Sequence, residues 1–219
     1  GSILTPAQSE FLRDFFASPL GKDFYLSGGT ALAEYYLQHR LSQDLDLFSV
    51  NQYLSFDSVN AEIQKIFYSR KLAVENQVTS GSFLRYFVRF PEEILKIDII
   101  KDVPISFGKI QTFGQVKVDS IENIAVGKLL ALFGRAAPKD FIDLYFLFEK
   151  GKLLKFDDVL IMAKKKDLGL QDLYLAEMIY KVETIEIFPK TLKTYEKRDL
   201  IGFFLQWADG LFGCLKPAE

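Results

Sequence analysis

The segment "LSGGTALAEYYLQHRLSQDLDLF", from Leu26 to Phe48, decides the fold class of this chain. It begins at the end of a short strand predicted over residues 23–27 and turns at Gly28-Gly29-Thr30, and a helix is predicted over residues 31–38. Two glycines permit a tight turn and a close approach of the backbone to a ligand. The helix that follows offers free N–H groups and the positive end of its dipole. The segment therefore predicts a phosphate-binding strand–turn–helix unit, with a purely structural turn as the alternative.

Two aspartates, Asp44 and Asp46, follow on the next predicted strand, residues 44–50. Alternate residues of a strand face the same side, so both carboxylates are expected on one face and Leu45 and Leu47 on the other. Like charges side by side repel each other, and burying either one without a partner is costly. The pattern therefore requires something that compensates for the two charges.

A third carboxylate, Asp98, lies in the middle of the apolar stretch "LKIDII", residues 95–100. One such aspartate is ordinarily a hydrogen-bonded polar group or lies on an edge strand, and that alternative stays open for each of the three. Carboxylates that converge on one site repel unless a divalent cation neutralises them, and Mg²⁺ prefers oxygen ligands completed by phosphates. Asp44, Asp46 and Asp98 are therefore the predicted metal ligands.

The remaining pattern divides the chain into two halves. Residues 1–118 are predicted to form an α/β domain with further strands at 72–78, 83–90 and 94–100 and one or two short strands within 108–118. Residues 119–219 are predicted to be helical, beginning with a capping box at Asp119-Ser120-Ile121-Glu122. The expected fold class is α+β, a mixed sheet with helices followed by a helical C-terminal domain.

Composition restricts the class of protein. The chain has 219 residues, of which 49% are hydrophobic, and a net charge of −2 from 27 basic and 29 acidic residues. Its overall charge does not indicate nucleic-acid binding, so any basic patch must be local. Its single cysteine, Cys214, excludes an intramolecular disulfide. With no apolar run long enough for a membrane span and nothing like a signal peptide, we expect a cytoplasmic protein.

The order of these motifs resembles the nucleotidyltransferase superfamily that includes DNA polymerase β: Gly-Gly, a short helix, Asp-x-Asp, and a third acid on a later strand. More narrowly, the Leu26–Phe48 segment and "GKLLALFGRAAPKDFIDLYFL", residues 127–147, resemble the AbiEii/AbiGii toxin family of bacterial toxin–antitoxin and phage-defence systems. The resemblance spans most of the chain. It implies a nucleotidyltransferase fold and transfer of a nucleotidyl group from an NTP with two Mg²⁺ ions.

The same resemblance implies partners and roles. The acceptor is expected to be a macromolecule, RNA or tRNA, and an antitoxin protein is a possible partner. Asp44 and Asp46 would hold both metals, and Asp98 one metal near the acceptor hydroxyl, as the possible base. The remaining roles are nucleotide binding by Ser27, Gly28, Gly29 and Thr30, strand orientation or phosphate contact by Arg40 and Ser42, and nucleotide contact with catalytic support by Lys128 and Asp143.

Other interpretations stay open at this point. The acceptor can instead be a protein hydroxyl, or the chain can be a non-catalytic module that binds an NTP or a partner. Lys128 and Arg135 can form a solvated basic stripe, and Lys164-Lys165-Lys166 can contact RNA or simply be solvated. We assign no chemistry to His39, the only histidine.

Overall fold

The computed structural model describes residues 1–213, and Cys214 lies outside the described residues. The chain divides into two compact units, one of Gly1–Tyr36 with Leu41–Ile121 and one of Leu37–Arg40 with the chain from Glu122 onward. The predicted division into residues 1–118 and 119–219 did not anticipate that the short segment Leu37–Arg40 groups with the helices. Over residues 1–213, no helix has the length and apolar composition needed to cross a membrane.

A mixed sheet forms the centre of the first unit. The strands of the described chain are β1 (Tyr25–Ser27), β2 (Leu45–Ser49), β3 (Ala73–Thr79), β4 (Phe83–Arg89), β5 (Ile94–Lys101), β6 (Gln111–Phe113) and β7 (Val116–Val118). They follow the order β3-β4-β5-β2-β1-β7-β6. The pairs β2–β5 and β1–β7 are parallel and the others antiparallel. The predicted α+β class with a mixed sheet is confirmed.

The helices of the described chain are α1 (Pro6–Ala17), α2 (Gly28–Ala31), α3 (Phe56–Ser69), α4 (Ile121–Gly134), α5 (Pro138–Tyr145), α6 (Phe156–Lys166), α7 (Asp172–Tyr180) and α8 (Lys197–Gly213). Two of them, α2 and α5, continue as π-helical turns at Leu32–Leu37 and Phe146–Lys150. α1 begins with a capping box, in which Thr5 and Gln8 bond reciprocally to each other's backbone.

Hydrophobic alternation decides which face of the sheet is covered. Leu45 and Leu47 of β2 are fully buried. On the same side, the ring of Phe67 from α3 packs on Tyr86 of β4 with centroids 5.3 Å apart, and on Phe11 of α1 with centroids 6.0 Å apart. Because side chains alternate along a strand, the residues between these apolar positions point to the opposite face. That opposite face carries the polar side chains of β2, β4 and β5.

The glycine turn differs from its prediction. The turn predicted at Gly28-Gly29-Thr30 with a helix from residue 31 is wrong, because helix α2 begins at Gly28 itself. Gly28 has φ of +71°, in the left-handed region. One residue in that conformation reverses the chain, which a side-chain-bearing residue would adopt only at a cost. Gly29 and Thr30 are therefore free to form the first helical turn.

Candidate active site

Polar side chains line up across the face of the sheet opposite Leu45 and Leu47. Arg85 of β4 pairs in register with Asp98 of β5, Asp98 with Asp46 of β2, and Asp46 with Ser27 of β1. Residues in register on neighbouring strands share a face, so Asp46 and Asp98 are direct neighbours. Asp44 joins them, because Lys96 Nζ lies 3.5 Å from Asp44 Oδ2 and 3.8 Å from Asp98 Oδ2. The structure thus brings together all three aspartates singled out from the sequence.

Two cations compensate for these carboxylates within the described chain. Arg85 donates two parallel hydrogen bonds to Asp98, from Nε to Oδ1 at 2.8 Å and from Nη2 to Oδ2 at 2.9 Å. Its hydrogen bonds to Asp98, together with the charges of Asp44 and Asp46, raise the pKa of Arg85. Lys96 bridges Asp44 and Asp98. The sequence analysis missed both cations, although Lys96, two residues before Asp98, had to share its face.

The glycine turn closes against Asp46. A Cβ atom built on Gly28 would collide with the carboxylate of Asp46. Neighbouring Ser27 is buried and its hydroxyl donates to Asp119 Oδ2 at 2.7 Å. Asp119 follows β7 directly, and its backbone N–H bonds to the carbonyl of Leu26 at 2.8 Å. Sequence analysis interpreted Asp119 only as part of a helix cap; it is a fourth carboxylate beside the row.

Thr30 and Ser42 fix the chain that enters β2. Thr30 Oγ1 lies 2.8 Å from Ser42 Oγ and also hydrogen bonds to the carbonyl of Asp44. The fully buried side chain of Gln8 donates to the carbonyls of Ser42 and Gln43 at 2.7 and 3.0 Å. These bonds set the position of Asp44. Contact of Thr30 and Ser42 with nucleotide stays a prediction.

In the second unit, Asp143 is the centre of a buried ionic network. Its side chain has no solvent exposure, and it accepts from Arg40 Nε at 2.6 Å and Nη2 at 2.7 Å. Lys128 Nζ lies 2.8 Å from Asp143 Oδ2, and His39 Nε2 lies 2.7 Å from Asp143 Oδ1. Burial by itself would raise the pKa of Asp143, but the charge of Lys128 and the bonds from Arg40 and His39 outweigh it and hold that pKa far below its ordinary value.

Lys128 is 7% exposed, so it is ion-paired within the unit rather than part of a solvated stripe. It also lies 3.6 Å from Asp140, which Arg135 binds through two bonds of 2.8 and 2.9 Å. The roles predicted for Lys128, Asp143 and Arg40 in nucleotide contact stay predictions. What the structure displays is a network that holds these three side chains in place.

His39 is neutral in this network. Of the described groups, Arg40, Lys128 and Arg135 already supply three positive charges to the two carboxylates. Burial lowers the pKa of His39, more than the hydrogen bond to Asp143 raises it. Its Nδ1 is buried without a hydrogen-bond partner among the described residues. The neutral tautomer with the proton on Nε2 satisfies these conditions, because it donates to Asp143 and adds no charge.

A divalent metal ion requires several oxygen ligands close together. Across residues 1–213, no three Asp, Glu, His or Cys side chains are gathered closely enough to hold a metal ion, and Asp98 is turned towards Arg85. The donor chemistry nevertheless suits Mg²⁺, since carboxylate oxygens from two adjacent strands share one face. The Asp46 carboxylate packs closely against Gly28, where a side chain would displace it. The residues therefore fit a divalent cation once Asp98 is released.

We predict that Gly28→Ala destabilises the protein more than Gly114→Ala does. Both glycines have a positive φ, +71° and +62°, so alanine costs about 1–2 kcal/mol at either position. At Gly28 the new methyl group must also displace Asp46, which adds about 1–3 kcal/mol, whereas nothing lies within 4 Å of a Cβ at Gly114. Urea denaturation of both variants measures the difference; equal losses would contradict the close contact.

The second prediction concerns pH. Because the pKa of His39 is lowered in the folded protein, the unfolded chain binds more protons as pH falls below about 6.5, and stability decreases by at most about 1.4 kcal/mol per pH unit. His39→Gln can still donate to Asp143 but does not titrate. Urea denaturation at pH 7.5 and 5.5 should therefore show a smaller loss for the variant. A loss as large as in the wild type would mean that folding does not shift the pKa of His39.

The sequence is similar to those of known proteins. Residues 10–183 match the family model described as nucleotidyl transferase AbiEii toxin, type IV toxin–antitoxin system. An uncharacterized protein of Aquifex aeolicus is 27% identical over 195 residues, 88% of this chain and 90% of the relative.

Solved structures share the fold. A candidate nucleotidyltransferase from Helicobacter pylori superposes with a TM-score of 0.59 at 16% identity, covering 96% of this chain and 95% of the other. MenT4, a nucleotidyltransferase toxin from Mycobacterium tuberculosis, superposes with a TM-score of 0.52 at 11% identity, covering 93% and 82%. Because the family model covers most of the sequence, the chain belongs to the AbiEii family of nucleotidyltransferase toxins.

Proposed function

We propose that this toxin nucleotidyltransferase uses Mg²⁺ to transfer a nucleotidyl group from an NTP to RNA, with tRNA as the expected acceptor, and that it acts in the cytoplasm and is controlled by an antitoxin protein. The observation that carries the proposal is the in-register placement of Asp46 and Asp98 beside the Gly28 turn. Family membership supplies the reaction class, and the carboxylates supply the ligands that such a reaction needs.

The residues divide the work as follows. Asp44 and Asp46 would hold the two metal ions with Asp98, and bound Mg²⁺ would neutralise phosphate charge and polarise the reacting phosphoryl group. The backbone N–H groups of Gly28 and Gly29 approach the triphosphate where no side chain intervenes. Asp98, opposite Asp46, takes the proton of the acceptor hydroxyl as general base.

The other candidate residues act in support. Ser27 is held by Asp119, and Thr30 and Ser42 are held together with the backbone before Asp44. All three are proposed to orient the nucleotide-binding segment through these bonds. Lys128 and Asp143 are proposed to contribute nucleotide contact and catalytic support, as the second family motif implies. Arg40, from the first motif, is proposed to orient the strand or contact phosphate.

RNA is favoured over a protein hydroxyl as the acceptor on the strength of the family. Lysines at the end of α6 offer a local cationic surface: Lys165 is exposed, and Lys164 is half-buried and paired with Asp172 at 2.6 Å. A charge run at a helix end is commonly just solvated, so these lysines do not by themselves indicate RNA. The acceptor is therefore decided by experiment.

We predict that the protein, incubated with Mg²⁺, each labelled NTP, total tRNA and cell protein, places the label on RNA. Asp46→Asn should reduce incorporation at least about a hundredfold, because a metal-binding and charge-stabilising group is lost. The same change at the exposed Asp57 of α3 serves as the control and should leave incorporation unchanged.

Each other outcome has a definite meaning. Label on protein rather than RNA would show that the acceptor is a protein hydroxyl and would overturn RNA as the acceptor. Undiminished labelling by Asp46→Asn would remove the carboxylate row from the reaction. Binding of NTP without any transfer to RNA or protein would favour the non-catalytic module.

A further inference from the structure

Asp98 is occupied by Arg85 in this structure. Both carboxylate oxygens accept a hydrogen bond from the guanidinium group, at 2.8 and 2.9 Å. The Asp98 side chain is 8% exposed, whereas that of Arg85 is 35% exposed. A planar, two-point pair of this kind is the strongest form of side-chain ion pair. Asp98 therefore cannot bind a metal ion through these lone pairs while Arg85 stays in place.

From this geometry we propose that Arg85 stands in for a divalent cation on Asp98 and must leave for the metal to bind. The inference rests on the proposed function, since it assumes that Asp98 becomes a metal ligand. Arg85 and the metal then compete for one carboxylate, and Arg85 lowers the apparent metal affinity of the nucleotide-free enzyme.

The surroundings allow Arg85 to move. Its charged group is partly solvated, and its Cζ lies 5.0 Å from the centre of the Phe83 ring, on the same strand. An aromatic ring at this distance attracts a guanidinium group without using a carboxylate. Release from Asp98 therefore does not leave a buried cation without a partner. Lys96, at 3.5 and 3.8 Å from its two aspartates, makes longer contacts that are easier to give up.

The size of the effect follows from the competition. If Asp98 is free of Arg85 for about a tenth of the time, the apparent dissociation constant of the metal is about tenfold higher than the intrinsic one. Replacing Arg85 by an uncharged residue should restore the intrinsic metal affinity. Replacing a charged residue elsewhere on the sheet should leave the metal affinity unchanged, because charges beyond a Debye length are largely screened at ordinary salt.

The test is Mn²⁺ binding to the nucleotide-free protein, followed by electron paramagnetic resonance of the free ion. Arg85→Gln should bind Mn²⁺ about tenfold more tightly than the wild type. Arg89→Gln is the matched control, because Arg89 lies on the same strand and pairs with Glu75 instead. It should bind as the wild type does. Circular dichroism and thermal melting confirm that each variant is folded.

Arg85→Lys distinguishes the effect of the two-point pair with Asp98 from the effect of the positive charge alone. It also replaces Arg85→Gln in the test if that variant fails to fold. Lysine keeps the positive charge but cannot make the two-point pair, so binding should be tighter than in the wild type. Wild-type affinity in both Arg85 variants overturns the inference. If that result comes with Mn²⁺ binding that Asp46→Asn abolishes, the proposed metal site survives it. Absence of Mn²⁺ binding in every variant, with or without NTP, overturns the metal site and the inference together.

Discussion

The parallel pairing of β2 with β5 is the constraint on which the rest of the site depends. In its register Leu45 faces Ile97, Leu47 faces Ile99, and Asp46 faces Asp98. A slip of one residue would set Asp46 against an isoleucine and turn one of the two residues to the covered face. The four apolar side chains are all fully buried, so the core itself specifies the register. The hydrophobic pattern thus places the carboxylates without any attraction between them.

A second constraint acts on the segment Leu37–Arg40, which groups with the helical unit. Arg40 precedes Asp44 by four residues and is held by Asp143, and its backbone forms a bridge with Thr191. The carbonyl of His39 accepts a bond of 2.7 Å from Leu192. Buried ion pairs of this kind add little net stability, yet removing one partner leaves an uncompensated charge. The network is therefore better understood as fixing one conformation of this segment than as strengthening the fold.

The sequence allowed some of this to be predicted, and physical reasons account for the rest. Alternation around Asp46 and the motif order were sufficient for the strand, the face shared by the carboxylates and the fold class, because they depend on neighbouring residues. The Arg85–Asp98 pair and the Asp143–Arg40 pair join residues 13 and 103 positions apart, so they depend on tertiary packing. The helix start at Gly28 was missed because the left-handed conformation of Gly28 alone makes the turn that was predicted to span Gly28-Gly29-Thr30.

Internal cations also change what metal binding does for the protein. Three carboxylates with no counter-charge would repel one another, and folding would then depend on the ion, as it does in small domains built around a structural metal. Here Arg85 and Lys96 already offset most of that repulsion within the described residues. The site can therefore form without a metal ion, and folding does not require one. If a metal ion binds here as proposed, it has to displace a well-formed pair, so the same contacts that stabilise the free protein would weaken its affinity for the ion.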